Sequence, residues 1–145
     1  MNVIRKYKAE DTDALEIAWR NATKIAHPFL KEAFVEQEAE MLRKVYLPKA
    51  DTWVIEDEGT PVGFVAIIGE EIGGLFLDPA SHSKGLGRAL VDHAIALKGP
   101  MWLEVFEKNV VGRKFYDRYG FIETGRSIHD ATGEVLLKVA FGQTH

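Results

Sequence analysis

Residues 75–88 read Leu-Phe-Leu-Asp-Pro-Ala-Ser-His-Ser-Lys-Gly-Leu-Gly-Arg, and they constrain the fold more than any other stretch. An apolar strand runs into a Pro-broken turn, and a glycine-punctuated segment then opens an amphipathic helix over Ala89 to Leu97. Gly85 and Gly87 lack a Cβ, so the backbone can turn sharply and turn consecutive N–H groups toward one point. The helix start adds unpaired N–H groups and the positive end of its dipole. Such a cradle suits an anion, and a phosphate above all. The competing reading is structural, with the glycines serving only as turn and helix start.

Two nucleotide-loop patterns do not fit. The dinucleotide loop needs Gly-x-Gly-x-x-Gly tight against the preceding strand, whereas here Leu90 stands at the third glycine and Asp78 to Lys84 intervene. The Gly-Lys-Ser/Thr ending of an ATP loop is missing too. A nicotinamide-dependent oxidoreductase is therefore disfavoured.

With 145 residues, residues 1–145 are expected to form one domain that buries about two-thirds of its unfolded surface. The formal charge of −4 offers no broad basic field, so no nucleic-acid partner is expected and any phosphate site must be local. The absence of cysteine excludes disulfides, thiolate metal sites and a Cys nucleophile, and the five histidines show no paired metal spacing. The start, Met-Asn-Val-Ile-Arg-Lys-Tyr-Lys, carries charges where a signal peptide needs an apolar core. No run approaches the ~18 apolar residues of a membrane span. A cytoplasmic protein with no membrane partner, monomer or homodimer, is the expectation.

Periodicity gives the element order. Asn2 to Lys8 alternates as a strand. Asp11 to Asp13 supplies caps for a first helix, with Glu16 as capping-box partner, and Leu15, Ala18, Trp19, Ala22, Ile25 and Ala26 form its apolar stripe. His27-Pro28 interrupts that helix. A second runs from Phe29 to Tyr46, with Leu30, Phe34, Met41 and Val45 inward and Pro48 at its end. Strands are expected at Thr52 to Glu56, Pro61 to Ile68, Glu71 to Leu77 and, after the cradle helix, Met101 to Phe106. A helix at Val110 to Tyr119 and strands at Phe121 to Ile128 and Val135 to Phe141 follow. The fold class is α/β: a mixed central sheet of about seven strands flanked by about four helices, in the order β-α-α-β-β-β-α-β-α-β-β.

The second informative block is Asn109-Val-Val-Gly-Arg-Lys-Phe115-Tyr116-Asp-Arg-Tyr119-Gly120-Phe121. Asn109 can cap a helix and Gly120 suits a left-handed C-cap. Gly112, Tyr116 and Tyr119 share one face, and a small residue one turn below a tyrosine leaves room for a ligand chain. Its structural rival is an aromatic core helix with ordinary caps.

Taken together, in this order and with a strand between them, the two blocks resemble the GNAT superfamily of acyl-CoA-dependent N-acetyltransferases, in its small stand-alone bacterial form. The family's phosphate loop, Gln/Arg-x-x-Gly-x-Gly/Ala, is matched by His82-Ser83-Lys84-Gly85-Leu86-Gly87. Its Asn-x-x-Ala-x-x-Phe-Tyr-x-x-x-Gly-Phe block is matched by Asn109, Phe115, Tyr116, Gly120 and Phe121. His82 stands at the Gln/Arg position, and Gly112 replaces the alanine at a helix cost of about 1 kcal/mol.

The resemblance implies transfer of acetyl from acetyl-CoA to a primary amine by direct attack, without a metal. The acceptors it implies are a protein lysine, a protein N-terminus or a small-molecule amine; a CoA-binding module without chemistry is the alternative. It further implies main-chain contacts from Leu75, Phe76 and Leu77 to the pantetheine and acetyl group. The pyrophosphate would be held by Ser83, Lys84, Gly85, Leu86, Gly87 and Arg88, next to His82, with Asn109 on the other wall. Tyr116 matches the general acid. A base is required because a primary amine titrating near about 10.4 is mostly ammonium at neutral pH. Glu104 and Glu71 compete for that task. Glu104 shares a strand face with Trp102 and Phe106, where desolvation would raise its basicity, and is slightly preferred; Glu71 matches the position other members use. His27 and Phe29 are expected to shape the acceptor pocket, although His27 serves equally well as a structural cap at Pro28.

Overall fold

A computed structural model describes residues 2–142 as one mixed sheet with helices on both faces. The strands are β1 (Asn2–Lys6), β2 (Asp51–Asp57), β3 (Thr60–Ile68), β4 (Glu71–Leu77), β5 (Met101–Phe106), β6 (Ile122–Ile128) and β7 (Val135–Phe141). The helices are α1 (Thr12–Ala26), α2 (Glu32–Met41), α3 (Leu86–Lys98) and α4 (Val110–Tyr119). The expected element order is the observed one.

The sheet runs β1-β2-β3-β4-β5-β7-β6 and is antiparallel except where β4 meets β5. A parallel step needs a crossover, and α3 supplies it. That helix lies over β2, β3 and β4, burying Leu90, Val91 and Ala94 in one core with Ile55, Val65, Ile67 and Ile72 of those strands, a core that continues to Leu103 of β5 and Leu137 of β7. Truncating the fully buried Leu90 to alanine should cost about 2–5 kcal/mol. On the other sheet face Leu15 and Trp19 of α1 and Ala39 of α2 pack on Val54, Phe64 and Ala66.

Three local expectations fail for physical reasons. Asp11 makes no side-chain cap for α1; its carboxylate instead takes both NH groups of Arg5 at 2.8 Å and the Lys8 N–H at 2.8 Å. The expected capping partner Glu16 pairs with Arg20 and Arg43. The second helix starts at Glu32 and passes through a π turn at Leu42–Tyr46, ending with a helical turn at Leu47–Lys49 that contains Pro48. The inward face is Ala39, Leu42 and Leu47, the extra residue of the π turn keeping Leu47 in line with the first two, while Leu30, Phe34, Met41 and Val45 are only half-buried. The first strand closes at Lys6, although Tyr7 N–H still reaches the Thr52 carbonyl at 3.0 Å.

Candidate functional site

β4 and β5 part almost as soon as they meet. Glu71 opposite Trp102 is their one register pair among the described residues, joined by Trp102 N–H to Glu70 C=O at 3.0 Å. Beyond it the strands diverge into a V. On the outer side of β4, Asp78 N–H donates to Val62 C=O at 2.8 Å, and an antiparallel ladder repeats every second residue. Phe76 is therefore bonded to β3, while Leu75 and Leu77 turn their main-chain groups into the V. The expectation of free main-chain groups at all of Leu75, Phe76 and Leu77 is corrected at Phe76, whose ring instead lies on the α1 side beside Trp19, His27 and Phe64.

The cradle closes the mouth of the V. Ser83 has φ +68° and Gly85 φ +76°, and the first α3 bond runs from Ala89 N–H to Gly85 C=O at 3.1 Å. The N–H groups of Leu86, Gly87 and Arg88 thus lack an intrahelical acceptor. His82 ties this loop to β4, its Nε2 donating to the Leu77 carbonyl at 3.1 Å. Alternating handedness at successive residues concentrates N–H dipoles, as in anion nests.

These pieces enclose a cleft of about 480 Å³ bounded by β4, the cradle, the face of α4 and the end of α1. Leu75 to Leu77, His82, Ser83, Gly85, Leu86, Gly87, Arg88, Asn109 and Tyr116 all line it. Lys84 does not: its Nζ sits 3.0 Å from Asp57. Tyr119, named only for its helix face in the sequence, also lines the cleft, with the Arg88 guanidinium 4.9 Å above its ring. Its hydroxyl donates to Asp92, and burial and that carboxylate push the phenol up to about 12. The half-exposed Ile25 and Val111 form apolar lips, so Ile25 leaves the inward stripe expected for α1 and faces the cleft instead.

Asn109 caps α4, its Oδ1 accepting from Gly112 N–H at 2.8 Å. A Cβ at Gly112, which also lines the cleft, would lie 2.5 Å from Asn109 Nδ2, so the small residue makes room for this cap. Tyr116, one turn on, packs on the Leu103 and Val105 side of the sheet, and burial raises its phenol well above the ordinary value.

The two glutamates stand on the opposite sheet face, with Trp102 and Phe106, and do not line the cleft. Glu104 is exposed and registers with Lys138, whose Nζ lies 4.4 Å over Trp102. The desolvation expected for Glu104 is therefore absent. It falls on Glu71, whose carboxyl is held above its usual range by burial first and by the Glu104 charge second, with Lys138 opposing. His27 ends α1, its ring centroid 5.8 Å from Phe29 and 5.1 Å from Phe106, and burial lowers its pKa to about 4.

Residues 48–123 match the family model described as an acetyltransferase (GNAT) domain. The chain belongs to the GNAT acetyltransferases. It is 37% identical over 132 residues, 90% of each chain, to the peptidyl-lysine N-acetyltransferase YjaB of Salmonella typhimurium. The solution structure of apo YjaB from Escherichia coli overlays with a TM-score of 0.88 at 32% identity and 97% coverage of both chains. The PaiA N-acetyltransferase of Thermoplasma acidophilum, solved with coenzyme A, shares the fold at TM-score 0.78 and 20% identity, covering 97% of this chain and 99% of that one. This GNAT enzyme therefore moves an acetyl group from acetyl-CoA to an amine. No helix among its described residues is long and apolar enough to cross a membrane.

Proposed function

We propose that this GNAT enzyme acetylates the ε-amino group of lysine in proteins, as one domain over residues 1–145 working in the cytoplasm. The observation that carries the reading is the arrangement about the V: Tyr116 lies on one face of the sheet, Glu71 and Glu104 on the other. A thioester held in the slit is thereby open to a proton donor from one side and to an amine and its base from the other. The relatives named peptidyl-lysine N-acetyltransferases support the choice of acceptor.

Acetyl-CoA, when bound, supplies an activated acyl group. The cradle N–H groups of Leu86, Gly87 and Arg88 fit its pyrophosphate, the Arg88 guanidinium adds charge, and the main-chain groups of Leu75 and Leu77 fit the pantetheine amides and the acetyl oxygen. On the acceptor side Glu71 and Glu104 attract an ammonium, and Phe29 and Phe106, packed edge to face at 5.4 Å, give an apolar wall for a four-carbon stem. Glu71, with its raised pKa, takes the ammonium proton. The freed nitrogen lone pair forms the C–N bond as the C–S bond breaks, Tyr116 donates its phenolic proton to the departing sulfur, and the second proton that the nitrogen sheds on becoming an amide passes through solvent to restore the phenol.

Acetyl-CoA consumption measured with an N-terminally blocked peptide carrying one lysine, a lysine-free peptide with a free N-terminus, polyamines and aminoglycosides tests the reading. Turnover of the blocked lysine peptide above the others is expected. Turnover confined to N-termini or small amines would overturn the acceptor assignment.

A further inference from the structure

His27 sits where the acceptor wall and the cofactor wall touch. It ends α1, with its N–H donating to Thr23 C=O at 2.8 Å and its C=O accepting from Leu30 N–H at 3.1 Å. Its ring lies among Phe29, Phe76 and Phe106 on the acceptor face. Its Nε2 nevertheless points at the other wall, 3.3 Å from Asn109 Nδ2.

The Asn109 amide has one orientation that satisfies both of its contacts. Oδ1 must face Gly112 N–H, which only donates, so Nδ2 faces His27 and Nε2 must accept. The imidazole is then neutral with its proton on Nδ1, a tautomer set by the amide. Asn109 is 8% exposed, so an amide proton without this partner would be left largely dry. Gly112 makes the contact possible: a Cβ there would lie 2.5 Å from Nδ2 and 2.9 Å from Cγ, displacing the amide. The glycine that departs from the family's alanine is thus the residue that lets Asn109 reach both His27 and the first turn of α4.

We propose that His27 is a positioning residue that couples acceptor and cofactor sites, holding Asn109, and through it the first turn of α4, in the form that grips CoA. This rests on the reading of the cleft as the CoA site. An acceptor packed on Phe29 and Phe106 restrains His27, and the restraint passes through one hydrogen bond to the cofactor wall. Neither His27 nor Gly112 needs to touch a reacting atom.

A double-mutant cycle on CoA affinity, read by titration calorimetry with free CoA, tests the link. Asn109→Ser keeps a helix cap but removes Nδ2. His27→Leu is expected to weaken CoA about fivefold in the wild-type background, the loss of one hydrogen bond, and less than about twofold further in Asn109→Ser. His27→Gln, whose Oε1 can accept, should return to within about twofold of wild type. Gly112→Ala leaves His27 in place and, because Gly112 also lines the cleft, should lose at least as much as His27→Leu, which keeps the test alive if that variant folds poorly. Equal losses from His27→Leu in both backgrounds, a Gln variant as weak as Leu, or an unchanged Gly112→Ala would overturn the coupling. A wild-type chain that binds no CoA would instead remove the reading of the cleft, and the coupling with it.

Discussion

Glu71 faces Trp102 across the last point at which β4 and β5 are joined, and every later residue of either strand moves away from the other. Because Glu71 heads the splayed strand, its carboxylate sits at the closed end of the V on the sheet face proposed for the acceptor, half-buried and close enough to Glu104 to feel its charge.

Glu71→Gln should lower kcat by about 10²-fold or more at neutral pH, with partial recovery at alkaline pH as the free amine fraction of the acceptor grows. Glu104→Gln should cost less than about fivefold. In the wild type, kcat/KM should rise with pH through an inflection above the ordinary glutamate range, since the base works only when ionised and its pKa is raised. Steady-state rates across pH for the three proteins check this; the reverse ranking would move the base to Glu104.

Tyr116→Phe removes one hydroxyl and little volume from a ring packed at the edge of the core. The turnover rate should fall by about 10²-fold while CoA affinity stays within about twofold, because the phenol is needed only as sulfur leaves. Burst-free steady-state kinetics beside CoA titration separate the two effects.

Gly85 and Gly87 should respond differently to alanine. At Gly85, φ is +76° and a Cβ would meet nothing within 4 Å, so the cost is conformational, about 1–2 kcal/mol of stability, with CoA binding down more than about tenfold as the loop shifts. At Gly87 a Cβ would come to 3.4 Å of the Phe115 ring, a contact that a small shift accommodates, and the helix gains up to about 1 kcal/mol. Thermal melts and CoA titrations of both variants should therefore move in different directions.

His27 makes stability pH-dependent. Its folded pKa of about 4 lies below the ordinary value, so the unfolded chain binds more protons between the two, and stability falls as pH drops from about 6.5 toward 4. His27→Gln should remove on the order of 1–2 kcal/mol of that acid sensitivity, read from denaturant midpoints at pH 7 and pH 5.

Much of this was written locally in the chain. β4, β5, α4 and β7 fall where periodicity and the Gly, Pro and Asn breaks place them, because those signals act within a few residues. The cradle was legible for the same reason: two glycines ahead of an apolar helix admit few backbones. The inward face from Ala39 to Leu47 was not, because several phases of this segment carry apolar residues and the π turn at Leu42–Tyr46, which no residue there announces, breaks the 3.6-residue period. Glu104 failed differently: alternation assigns a strand residue to a face but not to a cover, and nothing in the neighbouring sequence said that its face would be open. The His27 to Asn109 contact spans 82 positions, beyond any local pattern.

The central claim is that the main-chain nitrogens of the cradle, in the loop and first turn of α3, hold the CoA pyrophosphate. Backbone amide chemical shifts recorded while CoA is titrated into the ¹⁵N-labelled chain test it most directly. The largest changes are expected at Ser83 to Arg88, at Leu75 and Leu77, and at Asn109. Saturable CoA binding that leaves the 83–88 amides unmoved would contradict it.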